Sequence, residues 1–178
     1  PYQTGLAVRD DLYILNSFSK FFGMTGWRLG WVVGPPEAIA PITKLAQNLF
    51  ISPSTPAQYA ALAAFDEEAM VIHRQRKEAF VQRAALLSDG LQRLGFGIPV
   101  APDGAFYLYV DISHTGMNSM DFCWRLIDEF QVAVTPGADF GEHHADHYVR
   151  FAYTTHLDAI QSGLERIEAA LIAWGINT

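Results

Sequence analysis

The sequence predicts an α/β fold, and three observations support this prediction. Short apolar runs that end in small polar residues alternate with longer stretches whose apolar residues recur at helical spacing. The runs at the beginning of the chain are apolar on both faces, as in a sheet that helices cover. Half of the 178 residues are hydrophobic, which is enough to form a buried core.

The first part of the chain predicts two strands followed by a helix. The runs Asp11–Ser17 and Arg28–Pro35 predict buried strands, and the second run ends in a glycine and two prolines. A helix over 36–50 follows from a proline at its start and from the helical spacing of four apolar residues, Ile39, Ile42, Leu45 and Leu49.

Two more helices are predicted before the middle of the chain. Ser54 or Thr55 suits an N-cap, and the proline that follows suits a first helical turn, so a helix extends to about Phe65. The acidic residues 66–68 form the first turn of a long helix that ends near Leu94, before a glycine. We place a domain boundary near residue 70.

The second part of the chain predicts strands and helices in the order β-α-β-β-α. The strands are Ala105–Ile112, Val132–Gly137 and His147–Thr154, and the helices are Ser119–Phe130 and Leu157–Trp174. This order predicts a sheet that is antiparallel in part and has its helices on one face.

Composition narrows the class of protein. A net charge of −7 and a pI of about 5.2 argue against nucleic acid as a main partner. No apolar run approaches the roughly 20 residues of a membrane helix, and the first residues do not show the pattern of a signal peptide. The one cysteine, Cys123, excludes an internal disulfide and a cysteine-based zinc cluster, and we expect a small core residue there. We therefore expect a soluble, cytoplasmic protein with no membrane partner.

Lys20 is the first candidate for chemistry. It follows the first predicted strand directly, at the end where α/β proteins place their ligand sites. Three phenylalanines flank it in the sequence, Phe18, Phe21 and Phe22. An ammonium in apolar surroundings tends to lose its proton, and a neutral amine attacks aldehydes.

The neighbours of Lys20 suit a phosphate. Ser17 and Ser19 alternate with an intervening phenylalanine, so both hydroxyls can point the same way, and Arg28 offers a planar fork of donors. A lysine for an aldehyde, with hydroxyls and an arginine for a phosphate, is the set that holds pyridoxal phosphate. The alternative is a turn with a salt-bridged lysine and a structural arginine. A P-loop is a poor alternative because the glycines do not form GxxxxGK[ST].

The string NSFSKFFGMTGWRLGWVVGP, Asn16–Pro35, strongly resembles the lysine segment of class I/II aminotransferases, which are fold-type I pyridoxal-phosphate enzymes. Four further segments resemble this family: QNLFISPSTPAQYAAL at 47–62, PDGAFYLYVDI at 102–112, VAVTPGADFG at 132–141 and YVRFAYT at 148–154. The similarity spans essentially the whole chain but only the second half of the family's usual length. The start at Pro1, without a methionine, also suggests a segment of a longer protein, with a processed N-terminus as the alternative.

The resemblance implies a C-terminal portion of the family's fold. Residues 1–69 would be the remnant of the large cofactor-binding domain, at the end of its mixed sheet. Residues 70–178 would form the long interdomain helix and the small α+β C-terminal domain.

The resemblance also implies roles for individual residues. Lys20 matches the lysine that forms the Schiff base with the cofactor and later moves the substrate's proton. Ser17, Ser19 and Arg28 match the phosphate ligands, and Arg150 matches the arginine that binds the substrate α-carboxylate. The Arg150 role also has a physical basis, because an arginine within an apolar strand needs a partner. An internal Asp or Glu partner is the alternative.

The family's remaining cofactor ligands have no counterpart in this sequence. These include the aspartate that pairs with the pyridine nitrogen, so we expect this chain alone to bind the cofactor weakly and not to transaminate. The full-length parent is expected to transfer amino groups between an amino acid and a 2-oxo acid, as a homodimer. Two alternatives stay open: another fold-type I reaction such as a C–S β-lyase, and the effector domain of an aminotransferase-like transcription regulator.

Two further groups of residues require an interpretation. His143, His144 and His147 do not follow a known metal-ligand spacing, so we expect exposed loop histidines and no metal site. The aromatic residues Phe106, Tyr107 and Tyr109 alternate along a predicted strand. Most of them should lie in the core, while one could approach a substrate pocket.

Overall fold

This computed structural model describes residues 3–176, which contain five α-helices and five β-strands. Their bounds are β1 Ile14–Ser17, β2 Gly30–Val33, α1 Pro36–Leu49, α2 Thr55–Ala63, α3 Glu67–Arg93, β3 Tyr107–Asp111, α4 Ser119–Phe130, β4 Thr135–Pro136, β5 Tyr148–Ala152 and α5 Leu157–Ala173. Residues 1–2 and 177–178, including the start at Pro1, lie outside the described part. The chain divides into two compact units between Lys77 and Glu78, and we call the described residues 3–77 unit 1 and 78–176 unit 2.

Strands β1 and β2 of unit 1 form an antiparallel pair, with Ile14 opposite Val33 and Ser17 opposite Gly30. Both strands were predicted, but their predicted burial is wrong: every residue of β2 is exposed, and Leu15 of β1 is 80% exposed. Apolar side chains show that a face is suited to burial, but burial also needs a covering layer. The described residues of unit 1 leave most of these two strands exposed, although the Trp31 ring of β2 lies 4.9 Å from that of Phe18.

The buried part of unit 1 is small. Phe18, Met24, Ala61 and Ala64 form one buried cluster, which joins the segment after β1 to α2. Helix α1 contributes no buried residue, although its apolar residues recur at helical spacing. The α2 start agrees with the prediction, since Ser54 stands at the N-cap position, but its side chain makes no capping hydrogen bond.

The long helix α3 begins and ends with charges of the expected sign. Glu67 and Glu68 lie in its first turn and Arg93 in its last. The charges at both ends therefore interact favourably with the helix dipole. Gly95, at a φ of 84°, allows the chain to turn after the helix, and Phe96 N–H donates to the carbonyl of Leu91 at 3.1 Å. The predicted long helix is confirmed.

Unit 2 contains a three-stranded antiparallel sheet in the order β3-β5-β4. The helix predicted over Ser119–Phe130 is confirmed as α4, and the Asn118 side chain caps it by accepting from the Asp121 N–H at 2.8 Å. Strand β4 has two residues instead of the predicted six. It ends at Pro136, which has no N–H with which to continue the ladder.

One face of this sheet forms the core of unit 2. Inward residues alternate with outward ones along β3 and β5, as the pleat requires. The buried cluster joins this face to α3, α4 and α5, and its fully buried side chains include Leu91, Leu108, Val110, Phe122, Leu126, Val149, Ile167 and Leu171. The helices therefore lie on one face of the sheet, as predicted. The other face carries Tyr107, Tyr109 and Arg150.

None of the helices described between residues 3 and 176 combines the length and the apolar composition that crossing a bilayer requires.

Candidate active site

The segment between β1 and β2 is a closed turn that carries Lys20. The amide of Gly23 donates to the carbonyl of Lys20 at 2.9 Å, and the amide of Met24 donates to the carbonyl of Phe18 at 3.1 Å. The Thr25 hydroxyl donates to the carbonyl of Ser19 at 2.6 Å. These hydrogen bonds fix the backbone on both sides of Lys20. The turn therefore determines where the lysine side chain begins.

Aromatic side chains pack against the turn and stabilise it. The ring of Phe18 is buried, and its centroid lies 4.9 Å from those of Phe22 and Trp31 and 5.8 Å from that of Phe65. Lys20 itself is exposed. The expected apolar enclosure of Lys20 is therefore not observed, because Phe18 is buried in the cluster while Lys20 is exposed.

Ser17 and Ser19 lie on the same turn as Lys20. The Ser17 hydroxyl oxygen accepts from the Ser19 amide at 3.0 Å, which is a common local turn bond. A hydroxyl also carries one donor, so the Ser17 O–H can still donate to an anion. Ser17 faces Gly30 in the β1–β2 pair, where a Cβ on residue 30 would lie 2.5 Å from the Asn16 carbonyl oxygen. Only glycine permits this close approach of the two strands.

Arg28 closes the same turn in an unusual backbone conformation. Its φ of 51° and ψ of 52° are left-handed, which is uncommon for a residue with a side chain. Its Nη1 donates to the Thr25 carbonyl at 2.8 Å. A guanidinium has five N–H donors. This single internal bond therefore orients Arg28 and leaves donors for a phosphate.

A pocket of about 800 Å³ adjoins Arg28 within unit 1. It is lined by Gly26, Trp27, Arg28, Leu29, Gly30, Phe50, Ser52, Pro53 and Ser54. Ser52 and Ser54 were not singled out from the sequence as site residues. They could not be, because only the folded chain brings the turn before α2 next to Arg28.

Arg150 lies in unit 2, on the sheet face opposite the core. Tyr109 of β3 and Thr135 of β4 are its direct partners in the antiparallel register, so the three side chains share one face. Its Nη2 donates to the Thr135 hydroxyl at 3.2 Å. Among the described residues, Arg150 forms no ion pair and its buried Nε has no hydrogen-bond partner. The alternative of an internal Asp or Glu partner is therefore not observed.

Two aromatic rings lie near the guanidinium of Arg150. Its Cζ lies 4.7 Å from the ring centroid of Phe140 and 5.5 Å from that of Tyr107. Burial, and then the nearby phenol of Tyr148, raise the pKa of Tyr109, the neighbour of Arg150 on this face. Tyr107 was considered from the sequence, whereas Thr135 and Phe140 were missed. The string VAVTPGADFG contains both, but only the register reveals their contact with Arg150.

The loop histidines and Cys123 are the remaining candidates. The rings of His143 and His144 lie 4.3 Å apart, but within residues 3–176 no group of three or more metal-ligand side chains is arranged to hold an ion. Cys123 is confirmed as a core residue, and burial raises the pKa of its thiol to about 12.

Known proteins resemble this chain over nearly its whole length. The sequence profile of the family "Aminotransferase class I and II" matches residues 2–167. Valine–pyruvate aminotransferase of Mycobacterium tuberculosis is 36% identical over 86% of this chain and 40% of its own length. An aspartate aminotransferase of Geobacillus stearothermophilus is 38% identical over 90% of this chain and 41% of its own length.

Solved structures show the same similarity in three dimensions. A crystal structure of an aminotransferase from Mycobacterium tuberculosis matches with a TM-score of 0.92 and 34% identity, over 97% of this chain and 45% of that one. An aromatic aminotransferase from Pyrococcus horikoshii matches with a TM-score of 0.85 and 35% identity, over 93% of this chain and 44% of that one. The chain thus spans less than half the length of these relatives, which is consistent with the expected C-terminal portion. With this agreement of sequence and α/β fold, the chain belongs to the class I and II aminotransferase family.

Proposed function

We propose that the complete protein containing this chain is a pyridoxal-phosphate-dependent aminotransferase. It would transfer an amino group between an amino acid and a 2-oxo acid. One observation carries the proposal: a hydrogen-bonded turn presents the exposed Lys20 together with the Ser17 hydroxyl and the Arg28 guanidinium. An amine beside phosphate-type donors is the donor set that this cofactor requires.

Ser17, Ser19 and Arg28 would hold the phosphate. The two hydroxyls donate hydrogen bonds, and the guanidinium supplies the positive charge that offsets the phosphate charge. The Arg28 bond to the Thr25 carbonyl, at 2.8 Å, orients the fork before the ligand arrives. Little side-chain freedom then remains to be lost on binding.

Lys20 would supply the reactive amine. Pyridoxal phosphate, when bound, withdraws electrons from the substrate α-carbon and makes its C–H bond acidic. The Nζ of Lys20 would be the amine that holds the cofactor's aldehyde group while no substrate is present. With substrate bound, the same Nζ would accept the proton from the substrate α-carbon and donate it again in the following step.

Arg150 would bind the substrate α-carboxylate. Thr135 holds one end of its guanidinium, and the buried Nε has no bond partner among the described residues. A carboxylate that accepts two parallel N–H bonds satisfies such a group better than water does. Nothing in this arrangement selects the side chain of the amino acid.

The complete protein would act as a homodimer. Unit 1 exposes large apolar side chains that a second surface could cover, including Leu15, Leu49, Ile51, Tyr59 and Leu62. Sedimentation of the complete protein should give twice the monomer mass, and a monomer at micromolar concentration would contradict this assembly. By itself the 178-residue chain should bind the cofactor weakly, because it has no counterpart to the family's aspartate at the pyridine nitrogen.

Covalent trapping tests the proposal. The complete protein and this chain are each incubated with pyridoxal phosphate, reduced with borohydride and digested, and the adduct is located by mass spectrometry. We expect the label on Lys20 rather than on Lys44 or Lys77, the two other lysines of this chain. The Lys44→Met variant, as matched control, should keep the label, and Lys20→Met should lose it. Equal labelling of the three lysines in the complete protein would overturn the proposal.

A further inference from the structure

Phe140 is a residue of the Arg150 site to which no role has yet been given. It ends a short 3-10 helix, Gly137–Phe140, in the connection between β4 and β5. Its ring is 50% exposed, so it is not held there as part of the core. Its centroid lies 4.7 Å from the Arg150 Cζ, closer than the 5.5 Å of Tyr107.

We propose that Phe140 is a positioning residue that fixes the guanidinium plane of Arg150 for the substrate carboxylate. This inference rests on the carboxylate-binding role proposed for Arg150. A guanidinium within about 6 Å of a ring centroid is attracted to the face of that ring, and planar stacking restricts its rotation. Phe140 touches the arginine and not the reacting atoms, so it would act through Arg150.

The backbone on both sides of Phe140 is fixed. A Cβ on Gly137 would lie 2.3 Å from the Ala145 carbonyl oxygen and 2.6 Å from the Tyr148 carbonyl oxygen, so the connection packs tightly against itself there. Gly141 has a φ of 145° and a ψ of −171°, a conformation that essentially only glycine adopts. Two glycines with specific requirements therefore bracket the ring that contacts Arg150.

The ring of Phe140 also has support from the side. Its centroid lies 6.2 Å from that of Tyr109, with the two planes at 87°, which is a favourable edge-to-face contact. Tyr109 in turn stacks on Tyr148, with centroids 4.9 Å apart and planes at 6°. A supported ring restrains Arg150 more than a freely rotating one would.

Together these contacts define the orientation in which the guanidinium of Arg150 meets an anion. Thr135 accepts from Nη2 at 3.2 Å, and Phe140 covers the guanidinium from one direction. Among the described residues no acidic side chain pairs with Arg150, so the remaining donors of its guanidinium are left for a ligand. Carboxylate recognition by two parallel bonds depends on the orientation of the plane. The loss of the ring should therefore weaken carboxylate binding without changing the chemistry.

The experiment compares Phe140→Leu with Phe140→Tyr in the complete, cofactor-loaded protein. The binding probe is 2-aminoisobutyrate, which has an α-carboxylate but no α-hydrogen, and its dissociation constant is read from the cofactor absorbance. Isopropylamine, the same amine without the carboxylate, is the matched control. We expect Phe140→Leu to weaken 2-aminoisobutyrate about two- to fivefold and to leave isopropylamine unchanged. Phe140→Tyr keeps the ring and should behave like the wild type.

A variant of Arg150 separates this inference from the proposed function. Arg150→Lys keeps the charge but loses the planar fork, so it should weaken 2-aminoisobutyrate and remove any further effect of Phe140→Leu. If Arg150→Lys has no effect, the carboxylate role of Arg150 fails. If Arg150→Lys weakens the probe but Phe140→Leu does not, or acts equally in both backgrounds, the Phe140 inference alone is overturned. Should Phe140→Leu fail to fold, Phe140→Met gives the same test, since it also removes the ring.

Discussion

Units 1 and 2 use a similar share of apolar residues in opposite ways. In unit 2, one face of the β3-β5-β4 sheet packs against helices and forms a continuous core, with Val110, Phe122 and Leu126 fully buried. In unit 1 the buried cluster is small, and residues such as Leu15 and Leu49 remain 80% and 77% exposed. Unit 2 therefore contains the partners of its own apolar faces, whereas unit 1 does not within the described residues.

This difference shows what an apolar pattern means. It indicates that a face favours burial, since burial stabilises by roughly 25 cal/mol per Å² of apolar surface. It does not indicate which chain provides the cover. The lysine turn of unit 1 is nevertheless well defined, because backbone hydrogen bonds and the packing of Phe18 fix it locally.

The largest expected change in the free energy of unfolding comes from replacing a buried phenylalanine, and an exposed phenylalanine is the comparison. Phe122, in unit 2, is fully buried against Phe96 and Trp174, so Phe122→Ala should lower the free energy of unfolding of this chain by about 3–5 kcal/mol. Phe50, in unit 1, is 57% exposed, so Phe50→Ala should cost less than about 1 kcal/mol. Urea denaturation measures both. Equal losses would mean that unit 1 has a core of its own and would break the comparison.

The second prediction tests whether the lysine turn is an exception to the loose packing of unit 1. A Cβ on Gly30 would lie 2.5 Å from the Asn16 carbonyl oxygen, so Gly30→Ala should destabilise by about 1–3 kcal/mol. Gly26, in the same segment, has no atom within 4 Å of an added Cβ, so Gly26→Ala is the matched control and should change little. Thermal unfolding measures the two variants. A tolerated Gly30→Ala would mean that β1 and β2 can separate.

A smaller effect is expected from buried polar atoms that have no partner. His73 in unit 1 is 6% exposed beside Phe21 and Phe22, and neither of its ring nitrogens has a hydrogen-bond partner among the described residues. In unit 2 the same holds for the Ser119 hydroxyl, which is fully buried. His73→Leu and Ser119→Ala should each leave the free energy of unfolding unchanged or raise it by up to about 1 kcal/mol. Thermal unfolding measures this as an unchanged or higher melting temperature. Clear destabilisation by either would show that the polar group has a partner, such as a bound water.

The smallest effect at neutral pH concerns Cys123. Burial, and then the charge of Asp139, raise the pKa of its thiol from 9.0 to about 12. Iodoacetamide at pH 8 should therefore label it only after unfolding in urea. Because the thiol ionises at lower pH in the unfolded chain, stability should be lost as the pH rises from about 9 toward 12. The Cys123→Ala variant should show a shallower loss. Equal labelling of the folded and unfolded chains would contradict the burial.

Local signals were sufficient for most elements. The N-cap at Asn118 and the two ends of α3 are set by residues within one turn of each helix end, so the sequence indicates them directly. The predictions were less accurate where distant residues decide. Strand β4 is shorter than predicted, because only Thr135 and Pro136 pair with β5, opposite Arg150 and Val149.

The candidate site divides in the same way. Candidate roles for Lys20, Ser17 and Arg28 could be proposed from the sequence, because these residues lie close together in one segment and their side chains suit one ligand. The contacts of Arg150 with Thr135 and Phe140 could not, since they depend on strand register and on the conformation of the connection before β5. The proposed roles of all these residues stay predictions until the trapping and binding experiments are done.

The sequence by itself determined the α/β class, the order of the elements and the family, because these follow from periodicity, caps and long specific motifs. Only the tertiary structure decided which apolar faces are covered, how Arg150 is oriented, and that Lys20 is exposed. The physical reason is the range of the interactions. Helix and turn preferences act over a few residues, whereas burial and strand register depend on surfaces that are far apart along the chain.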